Sequence, residues 1–415
     1  MGATDSHQTI FPRVKNSLTV SYDTVREPVM PETTDNYTAM KNSNNQAIGT
    51  LRLCLTLAVV LHHSVLAYCT FGHFDHQHYL LSTAPIIDRE RWSGFDLLVR
   101  WNDTYFMALM FFISGIFVLP GLQRKGPSRY LKHRLLRLGL PFIACVTVIM
   151  PVAYYPSILE AGQHISFVSF WLGYFGRFHW PGGPAWFLWY LLFLDGLCVL
   201  IIRSFPCLPK QLSLVPDFIN RHFCAAVLVV MTAACVAYLP LAYGFGPDCW
   251  LNFGPFFIQR SRIALYAFFF ALGCAAGATG IHHPIFQRGS ALARYWVLSF
   301  CFGALSFGFF FVPAVTTLGL QPLIFVFCCV SFCMALTGLC LCYVRTVPAW
   351  VERFMGDAYG VYLLHYAFVT WSQFYVLPLA WGAVPKAAFV LSITLSCSIF
   401  MTRAVRYVPA TRRVI

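Results

Sequence analysis

Inside one apolar run the chain carries Leu51-Arg52 and then the adjacent pair His62-His63. Charged and imidazole side chains are costly within a bilayer and mark function there by default. A helix rises about 1.5 Å and turns about 100° per residue. Arg52 and His63 then lie on nearly one face, about 20° apart, and are separated along the axis by roughly 16 Å. His62 points about 80° away from Arg52. One helix face thus carries a fixed positive charge near one end and an imidazole deep in the membrane. That spacing suits a long donor with an anionic head and a reactive far end, which is the shape of an acyl-coenzyme A. A plainer reading makes Arg52 an interfacial anchor and His63 a hydrogen-bonded packing residue; the pairing of the two favours function.

A second basic element reads Arg124-Lys125-Gly126, then Lys132-His133-Arg134-Leu135-Leu136-Arg137, then Pro141. Arg134 and Arg137 are three apart, so on a helix both guanidiniums face the same way. Guanidiniums grip phosphate bidentately without losing charge. The competing reading is a basic loop drawn to anionic lipid heads. Other polar residues sit within or beside apolar runs. Ser114 follows Phe111-Phe112-Ile113, and Asp195 lies in a later run, where a structural ion pair is as well motivated as a catalytic acid. Asp357 precedes Tyr362 and His365, which share a helix face; His365 reads either as lining the same cavity as His63 or, more plainly, as a hydrogen-bonded core histidine. His179, beside Trp180, reads first as an interfacial aromatic cluster. Nothing resembles a P-loop, a dinucleotide fingerprint or a metal motif, so the expectation is no metal and no permanently bound cofactor.

The elements that must position these residues are membrane helices. Of 415 residues, 58% are hydrophobic and 11% charged, far from the roughly 25% charged residues of a soluble domain. Such a composition is tolerable where lipid is the solvent. The net charge of +13 is explained by basic residues between apolar runs, and nucleic acid is not an expected partner. Most of the 16 cysteines lie inside those runs without ligand spacing, as small apolar residues. Ten stretches are long enough to cross a bilayer: 51–71, 103–121, 138–156, 185–203, 222–243, 261–280, 294–313, 320–343, 358–378 and 384–405. A shorter aromatic stretch, 167–178, suits an interfacial or re-entrant helix. The predicted fold is an all-α polytopic membrane bundle of about ten helices over 47–415, preceded by a polar, disordered tail over 1–46. Met1-Gly2-Ala3-Thr4-Asp5-Ser6 fits the short myristoylation pattern. With the tail on the cytosolic side, Lys and Arg of the connecting segments divide seventeen to seven in favour of that side, which predicts cytosolic termini.

In this order and spacing the motifs resemble the acyltransferase-3 family of ten-span membrane acyltransferases. Arg52 and His63 match its Arg-x10-His, and Phe111-Phe112-Ile113-Ser114-Gly115 its Phe-Phe-hydrophobic-Ser-Gly. Arg134-Leu135-Leu136-Arg137 before Pro141 matches its Arg-x-x-Arg element. Pro184-Ala185-Trp186-Phe187-Leu188 is similar to its Leu-Trp-Phe-Leu, and Tyr359-Gly360-Val361-Tyr362-Leu363-Leu364-His365 to its Ser-Tyr-Gly-Ile-Tyr-Leu-Leu-His. The resemblance implies an acyl-coenzyme A donor bound by Arg52, Arg134 and Arg137, and His63 as the catalytic histidine. It leans towards the glucan-modifying branch, although Ala185 stands where that branch has Leu. Some relatives carry a hydrolase-like domain after the last span; here ten residues follow it, so the membrane domain is expected to complete the transfer. The expected reaction moves an acyl group, acetyl or succinyl, to a hydroxyl of a carbohydrate or similar acceptor. His63 serves in it as general base or as the acylated group, routes the sequence does not separate. The rival is a secondary transporter or flippase, which would show half-to-half repeats with broken helices; no such similarity is evident.

Overall fold

The computed structural model describes residues 31–78, 82–176, 180, 182–409, 411 and 414, with side chains from residue 46 onward. The myristoylation match at Gly2, Arg177, His179, Arg412 and Arg413 lie outside the described residues. Two units are distinguished, 1–39 and 40–415. Of the first, only residues 31–39 are described, and they are helical.

The principal helices, in chain order, are α1 (Pro31–Leu66), α2 (Ser93–Ile116), α3 (Pro127–Glu160), α4 (Phe167–Phe175) and α5 (Trp186–Ser204). They continue with α6 (Phe223–Phe245), α7 (Ile263–Ala276), α8 (Trp296–Phe309), α9 (Gln321–Tyr343), α10 (Ala349–Val376) and α11 (Ala383–Tyr407). One antiparallel hairpin, Trp250–Phe253 with Phe256–Gln259, interrupts an otherwise helical chain. The polytopic bundle is as expected, and each apolar stretch falls on a helix. The count differs. Seven helices among the described residues are long and apolar enough to span, or eight if α8 is joined to the bent segment before it. α7 has 14 residues, roughly 21 Å at the helical rise and short of an apolar core about 30 Å thick. α10 is 28 residues long but carries Glu352, Arg353, Asp357, His365 and Gln373. α1 begins at Pro31, within the segment expected to be a polar tail.

Two features fix the helices around the site. Gly115 of α2 meets Gly273 and Gly277 of α7 and its turn. A Cβ on these residues would come within 2.2, 2.1 and 2.0 Å of the carbonyl oxygens of Phe270, Phe112 and Ile116. Small residues let membrane helices approach backbone to backbone, and here no larger side chain fits. Beside this contact Phe111 is fully buried, its ring 4.8 Å from Phe187, 5.1 Å from Tyr266 and 5.5 Å from Tyr190.

The second feature is α3, which holds Pro141, Pro151 and Pro156 and two π segments, Leu135–Gly139 and Cys145–Ile149. Proline has no N–H for the carbonyl four residues earlier. Those carbonyls are taken by aromatic side chains. The Tyr359 hydroxyl donates to Arg137, the Trp171 indole to Thr147 at 2.8 Å, and the Trp371 indole to Val152 at 3.0 Å. The three prolines thereby bolt α3 to α10 twice and to α4 once.

Candidate active site

α1 ends at Leu66, so His63 lies in its last turn rather than deep in a span running to residue 71. The two histidines diverge. His62 stacks on Phe106 of α2 at 5.3 Å. His63 turns to α10, its ring 5.5 Å from His365 and 5.0 Å from Tyr366. Gln373 of α10 holds the end of α1 in place, its amide donating to the carbonyls of His63 at 2.9 Å and Ser64 at 3.3 Å.

His365 is fully buried, and its Nδ1 lies 2.7 Å from the Tyr362 carbonyl. A carbonyl only accepts, so Nδ1 carries the proton and Nε2 presents a lone pair. Among the described residues Nε2 has no hydrogen-bond partner, and neither has Nδ1 of His63 or of its neighbour His62. Buried polar atoms are nearly always paired, so open ring nitrogens on neighbouring imidazoles mark a place for polar chemistry. The rest of the Tyr359–His365 stretch supports this geometry. Tyr359 takes the freed Arg137 carbonyl, Gly360 admits Thr402, whose Cγ2 would lie 2.3 Å from a Cβ, and the Tyr362 hydroxyl donates to the Pro184 carbonyl.

At the other end of α1, Arg52 and Arg137 are both exposed and near enough for each charge to act on the other. Neither has an acidic partner among the described residues. Lys125 joins the same field, with Arg124, Arg134 and Arg137 as its charged neighbours. Arg134 differs from Arg137. Its Nε and Nη2 reach the two oxygens of Asp195 at 2.8 and 3.2 Å, and Nε also meets the Tyr130 hydroxyl at 3.0 Å. That hydroxyl donates to Asp195 at 2.6 Å, and Asp195 is fully buried. The two arginines are thus not an equivalent pair: one fork is turned inward to a carboxylate and the other is open.

Ser114 is turned back on its own helix, its hydroxyl donating to the Met110 carbonyl at 2.8 Å. Asp357 pairs with Arg403 at 2.8 Å and Arg406 at 2.6 Å, tying α10 to α11. Two of the seven charges counted on the opposite side, Arg262 and Lys386 at the starts of their apolar stretches, are buried. Arg262 binds Asp103 through both Nη atoms at 2.8 and 2.5 Å, and Lys386 binds Asp88 at 2.8 Å. The described residues of the 67–92 segment, 67–78 and 82–92, fold back over the His63 end of α1. The Asp88 amide donates to Ala67 at 2.9 Å, and the Trp92 amide to Tyr68 at 3.0 Å. Tyr68 is fully buried there, and burial, with Asp88 close by, pushes its hydroxyl well above the ordinary range. The His78 and Gln77 amides hold the exposed Asp75 carboxylate below its own.

Sequence reasoning missed Tyr366, Tyr154 and Gln373 around the imidazoles. Gln373 lies eight residues after His365, about 80° round α10, so helical spacing alone does not bring it to that face.

The acyltransferase domain that defines the acyltransferase-3 family matches residues 45–403, from the start of the membrane portion of α1 to the far end of α11. No curated protein and no solved structure matches significantly. The match decides for group transfer over transport, and it spans every helix that contributes to the site. The chain belongs to the acyltransferase-3 family of membrane acyltransferases.

Proposed function

We propose that this acyltransferase moves an acyl group, acetyl or succinyl, from acyl-coenzyme A to a hydroxyl of a carbohydrate or similar acceptor. The observation that carries the reading is the division of α1. An uncompensated pair of guanidiniums, Arg52 and Arg137, lies at one end. Facing imidazoles with open nitrogens, His63 and His365, lie roughly 16 Å further along. Phosphate groups of the donor bind the open guanidiniums. The pantetheine arm covers the remaining distance and brings the thioester to His63. Arg134 serves differently: gripped by Asp195 and Tyr130, it fixes the π segment that presents Arg137.

At His63 the acceptor oxygen attacks the thioester carbonyl. The imidazole takes the hydroxyl proton as the C–O bond forms. The C–S bond then breaks, and the proton passes to the departing sulfur, leaving an ester and free coenzyme A. His365, with its lone pair beside His63, accepts a hydrogen bond from the acceptor hydroxyl or from His63 and aligns the transfer.

Purified protein in proteoliposomes tests this directly. Acetyl-coenzyme A supplied with a hydroxylic acceptor such as methyl glucoside should release free coenzyme A thiol and yield a sugar ester. Thiol release without ester would reduce the activity to thioester hydrolysis. An intact thioester with every acyl-coenzyme A and acceptor offered would refute the donor assignment.

A further inference from the structure

On the far side of the histidines from Arg52, a file of buried polar atoms runs outward without partners. It begins at His365 Nε2 and His63 Nδ1 and continues with Gln373 Oε1, Tyr68 Oη, Ser157 Oγ and Glu160 Oε2. Tyr68 and Ser157 are fully buried, and Gln373 is 1% exposed.

These atoms come from four elements: the end of α1, the segment after it, α3 and α10. Cys145 of α3 lies against the Leu363 carbonyl of α10 at 3.9 Å, and Val152 against Trp371 at 3.0 Å. The two helices therefore run in the same direction, and Met150 and Ala153 pack on Tyr366 beside His63. Ser157 and Glu160 follow Ala153 by four and seven residues, one face of α3. They lie roughly 6 and 10 Å further out than Ala153. Gln373 lies two residues beyond Trp371 and reaches back to the end of α1. Tyr68 and Glu160 both feel the charge of Asp88, and Glu160 also accepts from the Ile87 amide. The file thus ends under the 67–92 segment, where Lys386 neutralises Asp88.

An unmade hydrogen bond in a buried place is destabilising, and a group of them beyond the histidines calls for an occupant rich in donors and acceptors. Two occupants fit that description: a water chain moving protons, or a polyhydroxylated molecule. Transfer from a thioester to a hydroxyl is proton-neutral overall, because the proton leaving the hydroxyl ends on the thiol. The reaction needs no proton path to the far face. It does need the second substrate to reach His63, and the donor's anionic head occupies the Arg52 end.

We propose that this file, Gln373, Tyr68, Ser157 and Glu160 between α1, α3, α10 and the 67–92 segment, is the binding track of a polyhydroxylated acceptor. It enters beneath that segment, opposite the donor. Tyr68 and Ser157 donate to and accept from its hydroxyls, while Gln373 Oε1 and Glu160 Oε2 accept from them. The inference rests on the hydroxyl-acceptor reading above.

Tyr68→Phe and Ser157→Ala each delete a hydroxyl that has no hydrogen-bond partner among the described residues, so folding is not at stake. With acetyl-coenzyme A and methyl glucoside as probes, each should raise the acceptor KM about three- to tenfold, the worth of one hydrogen bond. The donor KM should stay within twofold. In parallel, Ser157→Cys in proteoliposomes should react with a membrane-impermeant thiol reagent, above the background of the parent protein. It should react from the same side as Gln77→Cys on the 67–92 segment, and methyl glucoside should slow that reaction. Labelling with an unchanged acceptor KM would mean a water path and overturn the acceptor assignment. Absence of labelling would overturn the track itself. Labelling and protection by the sugar in a protein that fails to acylate it would keep the track and defeat the chemistry assigned above.

Discussion

The adjacent histidines offer an internal control on the proposed chemistry, because the fold sends them to different neighbours. His63 faces His365 and Tyr366, whereas His62 stacks on Phe106. Replacing His63 by Ala removes the proposed proton acceptor. Loss of a general acid–base group costs about 10² to 10⁴ in rate, equivalent to about 2.7–5.5 kcal/mol of transition-state stabilisation. Replacing His62 by Ala removes one stacked contact, worth about 0.5–1.5 kcal/mol of stability, and should leave turnover within about threefold of the parent, since nothing in the reaction touches it. The assay is the initial rate of coenzyme A release at saturating donor and matched amounts of reconstituted protein. Thermal unfolding in detergent is followed on the same samples to separate stability from chemistry. Retention of a tenth or more of the parental rate by folded His63→Ala refutes the general-base role. A collapse of the rate in His62→Ala, with His63→Ala active, would show that the opposite face of α1 carries the reaction.

Other expectations follow from the same contacts. Arg137→Lys should raise the donor KM with little change in unfolding temperature, because the open fork is lost and the charge kept; an unchanged donor KM would assign Arg137 to lipid. Arg134→Ala should instead destabilise the protein by about 3–5 kcal/mol, the cost of leaving a buried carboxylate unpaired, and an Arg134→Met/Asp195→Leu double variant should recover much of it in the same unfolding measurement. Tyr359→Phe strips the freed Arg137 carbonyl of its donor and should cost about 1–3 kcal/mol, read as a lower melting temperature. Gly115→Ala forces α2 and α7 apart and should cost about 1–3 kcal/mol or abolish accumulation, whereas an added methyl on Gly196, where nothing lies within 4 Å, should be neutral. Thiol labelling of Gln163→Cys and Lys132→Cys should occur from opposite sides of the membrane, as the loop charges predict; labelling from one side would overturn the assigned topology.

Much of the membrane architecture was legible because lipid imposes a long apolar run on each span, and the runs coincide with helices. Hydropathy, however, reads composition and not length or partner. The run over 261–280 looks continuous, yet Arg262 turns inward to Asp103, and the helix begins only at Ile263 and closes at Ala276. The same blindness counted Arg262 and Lys386 among the charges of the opposite side, since a buried cation and a solvated one look identical until the carboxylate that meets each is known. For the site, periodicity separated His63 from His62 because facing is set locally by helical twist. It could not set depth, since the end of α1 depends on how the segment after Leu66 packs.

The division between the two arginines shows what a short motif conceals. Arg134 and Arg137 are three apart and read as one phosphate clamp, yet Leu135–Gly139 is a π segment, and the wider turn changes the facing that α-helical spacing predicts. The cause lies four residues on. Pro141 cannot pair with the Arg137 carbonyl, so the ladder opens there and Tyr359 enters from α10. One turn later the same helix of Tyr359 carries Tyr362 and then His365, so the defect that aims Arg137 also locks the register of the histidine facing His63. A coupling follows between the two ends of the site, carried by α10 over the residues from Tyr359 to His365. In Tyr359→Phe, the loss of one hydroxyl far from the imidazoles should therefore lower the rate at saturating donor as well as weaken donor binding. Should only the donor KM respond, the two ends are built independently, and α10 merely spans the distance between them.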